Sequence, residues 1–154
     1  MPLKKLTEYL NDHNKQYVVQ KHPKAYTARE VAASAHIPGK NMAKTVMVKV
    51  DGDLTMVVID SNHDIDLDAL AEALNAEEVV LASEDEFGVA FPDCEVGAMP
   101  PFGNLYDVDT YVTESLINND EIAFSAGTHN ELVKMGYRDF EELVKPKILP
   151  VIDR

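Results

Sequence analysis

With 154 residues, 45% of them hydrophobic and few of them aromatic, the chain can bury one core and little more, which excludes a second domain of ordinary size. Its single cysteine, Cys94, excludes an internal disulfide and a metal site built from several cysteines, and no apolar run approaches the roughly 18 residues of a membrane span. A formal net charge of −13 weighs against a polyanionic partner for as long as that charge is taken as evenly spread.

In chain order, Met1-Pro2-Leu3-Lys4-Lys5 lacks the long apolar run of a signal peptide, so a soluble cytoplasmic protein is expected. Leu3, Leu6 and Leu10 fall on one face of a short amphipathic helix ending near Asn14, and residues 16–20 read as a strand. His22-Pro23 breaks that strand. Thr27-Ala28-Arg29-Glu30 has the Thr-x-x-Glu spacing of a capping box, which starts a second helix that must stop by Ile37-Pro38-Gly39. Residues 43–50 and 54–59 are apolar and β-branched, and Asp51-Gly52-Asp53 between them favours the positive φ of a tight turn, so they form a hairpin. Leu67, Leu70 and Leu74 mark a helix from about Asp66, with a short strand at 79–82 behind it and a second capping-box pattern at Ser83-Glu84-Asp85-Glu86. Residues 91–103 hold Pro92, Gly97, Pro100, Pro101 and Gly103 and read as a rigid, shaped loop. Short strands are expected at 105–108, 110–112 and 121–125, and a last helix near 139–144. No repeat, linker or low-complexity segment divides this order. The expected fold is a single domain over residues 1–154, α+β or mixed α/β, with a mixed, partly barrel-like sheet and peripheral helices.

Charge is far from even along the chain. Between residues 13 and 50, Lys15, Lys21, Lys24, Arg29, Lys40, Lys44 and Lys49 stand against Glu30 alone, a net of +6, whereas residues 51–154 carry −19. Such asymmetry suits a polyanion-facing side on an acidic body, the plain alternative being a solvated basic surface.

Three segments carry candidate chemistry. Lys44, at the start of the hairpin, offers a compact cation with three donors for a phosphate or an anionic intermediate, or else serves as an edge-strand lysine that discourages aggregation. The loop Gly97-Ala98-Met99-Pro100-Pro101-Phe102-Gly103 pairs prolines that stiffen the backbone with glycines that allow close approach, a backbone cradle for an ester carbonyl or a structural turn. Ser125-Ala126-Gly127-Thr128-His129 follows an apolar strand and can present Thr128 and His129 to the same place. Asp64, Asp66 and Asp68 share the opening spacing of a calcium-binding loop, but Ala69 and Asn75 stand where Gly and Glu are required, so helix capping explains them better. Cys94 sits between Asp93 and Glu95, which raise its pKa and leave it inert. No spacing pairs Ser, His and Asp into a triad.

Together, Tyr26-Thr27-Ala28-Arg29-Glu30-Val31-Ala32, Ala43-Lys44-Thr45, residues 97–103 and residues 125–129 resemble the YbaK/ProX family, which includes the editing domain inserted in bacterial-type prolyl-tRNA synthetases and its free-standing relatives. The resemblance covers nearly the whole chain in the expected order. It implies hydrolysis of the ester joining a small wrong amino acid (Ala, Cys, Ser or Thr) to the tRNA 3′-adenosine, with no metal or organic cofactor. A water assisted by the substrate's own ribose hydroxyl is the implied nucleophile, which accounts for the missing triad. Lys44, Gly97 and His129 match the positions implied as catalytic. Tyr26, Thr27 and Thr45, with Ala98, Met99, Pro100, Pro101, Phe102 and Gly103 of the loop, and Gly127 and Thr128, match positions implied to bind substrate. Relatives often carry Asp after the Val-Tyr-Val strand, whereas Tyr111-Val112 is followed here by Thr113, leaving Asp107, Asp109 or Glu114 to compensate.

The implied partners are the aminoacyl-tRNA acceptor end and, for selectivity, a synthetase or an elongation factor; no DNA or membrane partner is expected, and the oligomeric state is open with a monomer favoured. Two other classes compete. One is a non-catalytic tRNA- or nucleotide-binding module of the same fold, and the other is a protein-interaction domain using the acidic segment.

Overall fold

Leu3, Leu6 and Leu10 are buried while Lys4, Lys5 and Glu8 are exposed, and this stripe is what makes α1 (Lys4–Asp12) a helix. Nine residues would not hold a helix in water alone, but burying a leucine contributes about 1.5–3 kcal/mol. In the computed structural model, which describes residues 3–150, every other helix is as short. Residues 1–2 and 151–154, where the expectation of no signal peptide and both ends of the expected 1–154 domain fall, lie outside the described residues.

Strand β1 (Tyr17–Lys21) leads to α2 (Ala28–Ser34), whose Thr27–Glu30 capping box is formed in both directions. The hairpin β2 (Ala43–Val50) and β3 (Asp53–Asp60) turns through Asp51 and Gly52, both at positive φ. Asp66 caps α3 (Leu67–Leu74) by accepting the Asp68 and Ala69 N–H groups. Then come β4 (Val79–Leu81) and α4 (Glu84–Ala90), whose Ser83–Glu86 capping box is also complete. After the long loop the order is β5 (Asp109–Thr113), α5 (Glu114–Ile117), β6 (Glu121–Ser125), β7 (Glu131–Gly136), α6 (Tyr137–Val144) and β8 (Lys147–Leu149).

These strands make a mixed five-stranded sheet, β4-β2-β3-β5-β8, and an antiparallel three-stranded sheet, β1-β7-β6. A single parallel bridge from Met42 to Ala123 joins them, so the architecture is a mixed α/β domain with two sheets and peripheral helices rather than a closed barrel. One core serves both sheets: Met47, Met56 and Val58 from the larger meet Ile122, Phe124, Val133 and Met135 from the smaller, with Phe102 and Phe140 between.

The expected strand at 105–108 is instead a 3-10 turn, Gly103–Leu105, followed by Asp107 at positive φ. The Gly103 carbonyl accepts both the Tyr106 and Val108 N–H groups, which wraps the chain before it can extend. Two strands have no clear local signature. β7 has a buried Glu131 at its start, and β8 is three residues long and exists through parallel pairing with β5.

An ion pair ties α4 to the hairpin, with Lys49 Nζ 2.8 Å from Glu86 Oε2. The hydrogen bond from Lys49, joined by those from Ser83, holds the Glu86 carboxyl down to about 2 from 4.5. A carboxyl with a depressed folded pKa stabilises the fold above its unfolded pKa and loses that contribution as pH falls toward the folded value. Glu86→Gln keeps a capping acceptor but not the charge. The melting-temperature gap between wild type and this variant is therefore expected to be widest above pH 5 and to close as pH falls toward 2; a gap independent of pH would dismiss the ion pair.

Candidate active site

A cavity of about 860 Å³ opens between β2, the N-terminus of α2, the turn after β3, α4, and the loop that follows α4. Lys44 projects into it from β2, half-buried, with Nζ donating to the His63 carbonyl at 2.7 Å and to Asp64 Oδ1 at 2.9 Å. An ammonium has three donors, so one N–H remains for a ligand. Ala43, Val46, Met47, Ile65, Leu81 and Met99 supply apolar wall, and Arg29, Lys44, Asp64 and Glu84 are its charged groups. Such a site is large enough for a nucleoside ester and has few polar groups to orient it.

The proline-rich loop divides in two. Gly97 and Met99 line the cavity, while Ala98, Pro100, Pro101, Phe102 and Gly103 do not. Phe102 is fully buried, its ring 5.5 Å from those of Phe124 and Phe140 and 6.3 Å from that of Tyr9. Gly103 packs on Thr110 and Val108, on the far side of the core. The prolines therefore anchor the loop in the interior, which holds Gly97, at φ +87°, at the cavity wall. Ala98 N–H bonds the Glu95 carbonyl, whereas the Gly97 and Met99 N–H groups have no acceptor among the described residues.

Gly127 ties this loop to the next. Its N–H donates to the Ala98 carbonyl at 2.8 Å and its carbonyl accepts the Glu95 N–H at 2.8 Å. At φ +95°, with Leu3 against its α-carbon, a side chain here would be strained and would collide, so Gly127 acts through its backbone. Ser125, two residues before, lines the cavity. His129 is not among the residues that line the cavity and lies beside it. Its N–H bonds Glu95 Oε1 at 2.9 Å, its ring lies 4.8 Å from that of Tyr26, and its Cε1 is the nearest atom to where a Gly97 methyl would stand. Tyr26 is 65% exposed and lines the cavity mouth with Thr27, whose hydroxyl is committed to the α2 cap; Thr45 lines the inner wall. Thr128 turns to Asn130 and Glu131 instead.

Thr113 is buried and shares a hydrogen bond with Ser115, and neither it nor Asp107, Asp109 or Glu114 lines the cavity. Nothing there replaces an acid at this site. The Cys94 thiol is pushed up to about 11, by burial first and by Asp93 after it, while the hydrogen bond with Tyr106 pulls it the other way, so burial rather than the flanking carboxylates is the dominant cause.

Sequence patterns did not single out Arg29, Ser61, Asp64 or Glu84 as parts of one site, although all four line it. Arg29 stood inside the capping-box motif, where the Thr and Glu account for the pattern. The others became visible only once the turn after β3 and the start of α4 were seen to meet β2.

A model of the aminoacyl-tRNA editing domain family matches residues 22–143. Proline--tRNA ligase of Bacillus mycoides (strain KBAB4) is 27% identical over 110 residues, covering 70% of this chain and 19% of that enzyme, and that of Bacillus cereus (strain AH187) matches to the same extent. The chain thus spans about a fifth of the length of these curated relatives. Among solved structures, a hypothetical protein superposes with a TM-score of 0.85 at 19% identity, covering 98% of this chain and 100% of its own. A candidate trans-editing enzyme for prolyl-tRNA synthetase does so with a TM-score of 0.80 at 17% identity, covering 96% and 95%.

Proposed function

The chain belongs to the aminoacyl-tRNA editing domain family, related to the editing region of prolyl-tRNA synthetases, and from that premise we propose that it is an aminoacyl-tRNA deacylase acting on a small wrong amino acid of the alanine, cysteine, serine or threonine class. What supports the proposal is that Lys44, Gly97 and Met99 line one cavity, Lys44 with one N–H left over and the Gly97 and Met99 amides without an acceptor among the described residues. That is the equipment for charge developing on an ester carbonyl oxygen, donors fixed in advance in a partly dehydrated wall.

In the proposed step a water, oriented by the substrate's free ribose hydroxyl, attacks the ester carbon. The bond from that carbon to the ribose oxygen breaks, the oxygen takes one proton of the attacking water, the other passes to solvent, and the amino acid leaves as a carboxylate. Ser125 lines the cavity, but its hydroxyl has no hydrogen-bonding partner among the described residues, so no base activates it as a nucleophile. Lys44 is already an ion-paired donor and acts as an electrostatic anchor. Ala43, Val46, Met47 and Met99 give the cavity apolar lining, which favours a short neutral side chain over a charged one. The acceptor end enters beside Tyr26 and His129, and the same reading puts the protein in the cytoplasm with the translation machinery, with a synthetase or elongation factor as the source of tRNA selectivity.

The test is release of amino acid from a panel of mischarged tRNAs. Alanyl, cysteinyl, seryl and threonyl esters are expected to be cleaved well above their spontaneous rate, and aspartyl or leucyl esters are not. Tight binding of the panel with no release from any member would favour a binding module, and release without regard to side-chain size would remove the specificity assigned here.

A further inference from the structure

The turn after β3 is over-determined. Asp60 and Ser61 are each 1% exposed, Ser61 N–H donates to the Met42 carbonyl at 2.8 Å, and Ser61 Oγ donates to the Gly39 carbonyl at 2.9 Å. Asn62 N–H bonds Asp60 Oδ2, the Asn62 carboxamide packs on the bare α-carbon of Gly39, and His63 Nδ1 lies 2.8 Å from both Asp60 oxygens. Four successive residues of this rigid turn then hold two cations. The Ser61 and Asn62 carbonyls accept Arg29 Nε at 3.1 Å and Nη2 at 3.0 Å, and the His63 carbonyl and Asp64 carboxylate accept Lys44 Nζ.

The two cations differ in one respect. Lys44 is balanced by a carboxylate, whereas Arg29 meets only neutral carbonyls and forms no ion pair with any described carboxylate. Its guanidinium is oriented by two of its five N–H groups, and three remain. A fixed, uncompensated fork is the side chain best matched to a phosphate. Resting on the deacylase assignment above, we infer that Arg29 is the phosphate-binding residue of this cavity. It takes the phosphate on the 5′ side of the terminal nucleoside while Lys44 stays with the ester. The shared turn sets the spacing between the two.

The test uses the full chain and a deacylated RNA minihelix with a single-stranded 3′-adenosine end. Arg29→Gln keeps an amide donor for the turn but not the charge. It is expected to weaken minihelix binding about tenfold and to lower the slope of log affinity against log salt by about 0.7, one phosphate's share on a single strand. Arg29→Lys restores the slope but not the full affinity. Adenosine, which has no phosphate, binds wild type and Arg29→Gln alike. A direct measurement does not depend on variants folding: Arg29 is one of three arginines, and its Nε–H resonance should move with adenosine 5′-monophosphate and not with adenosine. Unchanged affinity and slope in Arg29→Gln, failure of the wild type to bind the minihelix, or a silent Nε–H resonance would each overturn the inference. Deacylation measured in parallel separates the two assignments. A wild type that binds through Arg29 but cleaves no ester removes the deacylase and keeps the anion site, whereas cleavage with kcat and KM indifferent to Arg29→Gln does the reverse.

Discussion

Lys44→Ala is expected to slow deacylation of a mischarged tRNA by about 10²–10³-fold, the loss typical of removing one preorganised donor from a developing oxyanion. The fall should appear in kcat, since the remaining Lys44 N–H matters most when charge builds on the ester oxygen. Little of it can come from unfolding. The Lys44 side chain is 24% exposed and its partner Asp64 69%, and an ion pair of that kind contributes about 1 kcal/mol or less. Lys44→Arg should retain binding and lose rate, because a planar fork cannot put a single donor where the compact ammonium does. Wild-type kcat in Lys44→Ala, with esters still cleaved, would relocate the site.

Phe102→Ala is expected to cost about 3–5 kcal/mol of stability, the usual range for emptying an aromatic site in a packed core. For a domain of this size that lowers the melting temperature by roughly 6–20 °C. Three aromatic neighbours and zero exposure leave no route for the surroundings to collapse cheaply. Phe102→Leu should recover most of the loss and leave KM for the aminoacyl-tRNA unchanged. A Phe102→Leu variant with normal melting but a raised KM would return Phe102 to the binding surface, where the motif alone had put it.

Where the chain's instructions are local, they are legible. Thr27 and Glu30, Ser83 and Glu86, and Asp66 each satisfy helix N–H groups within three residues, and Asp51-Gly52 closes its hairpin by its own φ preferences. Where stability comes from a distant partner, the local pattern misleads or is silent. Residues 105–108 look extended until the Gly103 carbonyl captures two amides, and β7 carries Glu131 and Lys134 yet becomes the central strand of its sheet because β1 and β6 pair on either side.

The site divides along the same line. Lys44 and Gly97 were legible as candidates from their own surroundings, Gly97 as a residue whose backbone conformation matters, and Tyr26 only through the family resemblance. The direction of the proline-rich loop was not, because prolines and glycines specify stiffness and permissive φ, not which side of a loop meets solvent. Nor was the second cation. What orients Arg29 is a pair of carbonyls from Ser61 and Asn62, which no spacing within its own helix can announce. By itself, then, the sequence determined the capped starts of α2, α3 and α4, the hairpin and the basic segment, and offered residues 97–103 as a candidate cradle, all from patterns among near neighbours in the chain. Only the tertiary structure decided that two sheets share one core, that all of that loop but Gly97 is buried, and that one turn holds Arg29 and Lys44 at a common cavity, since each depends on contacts between segments the chain brings together only when folded.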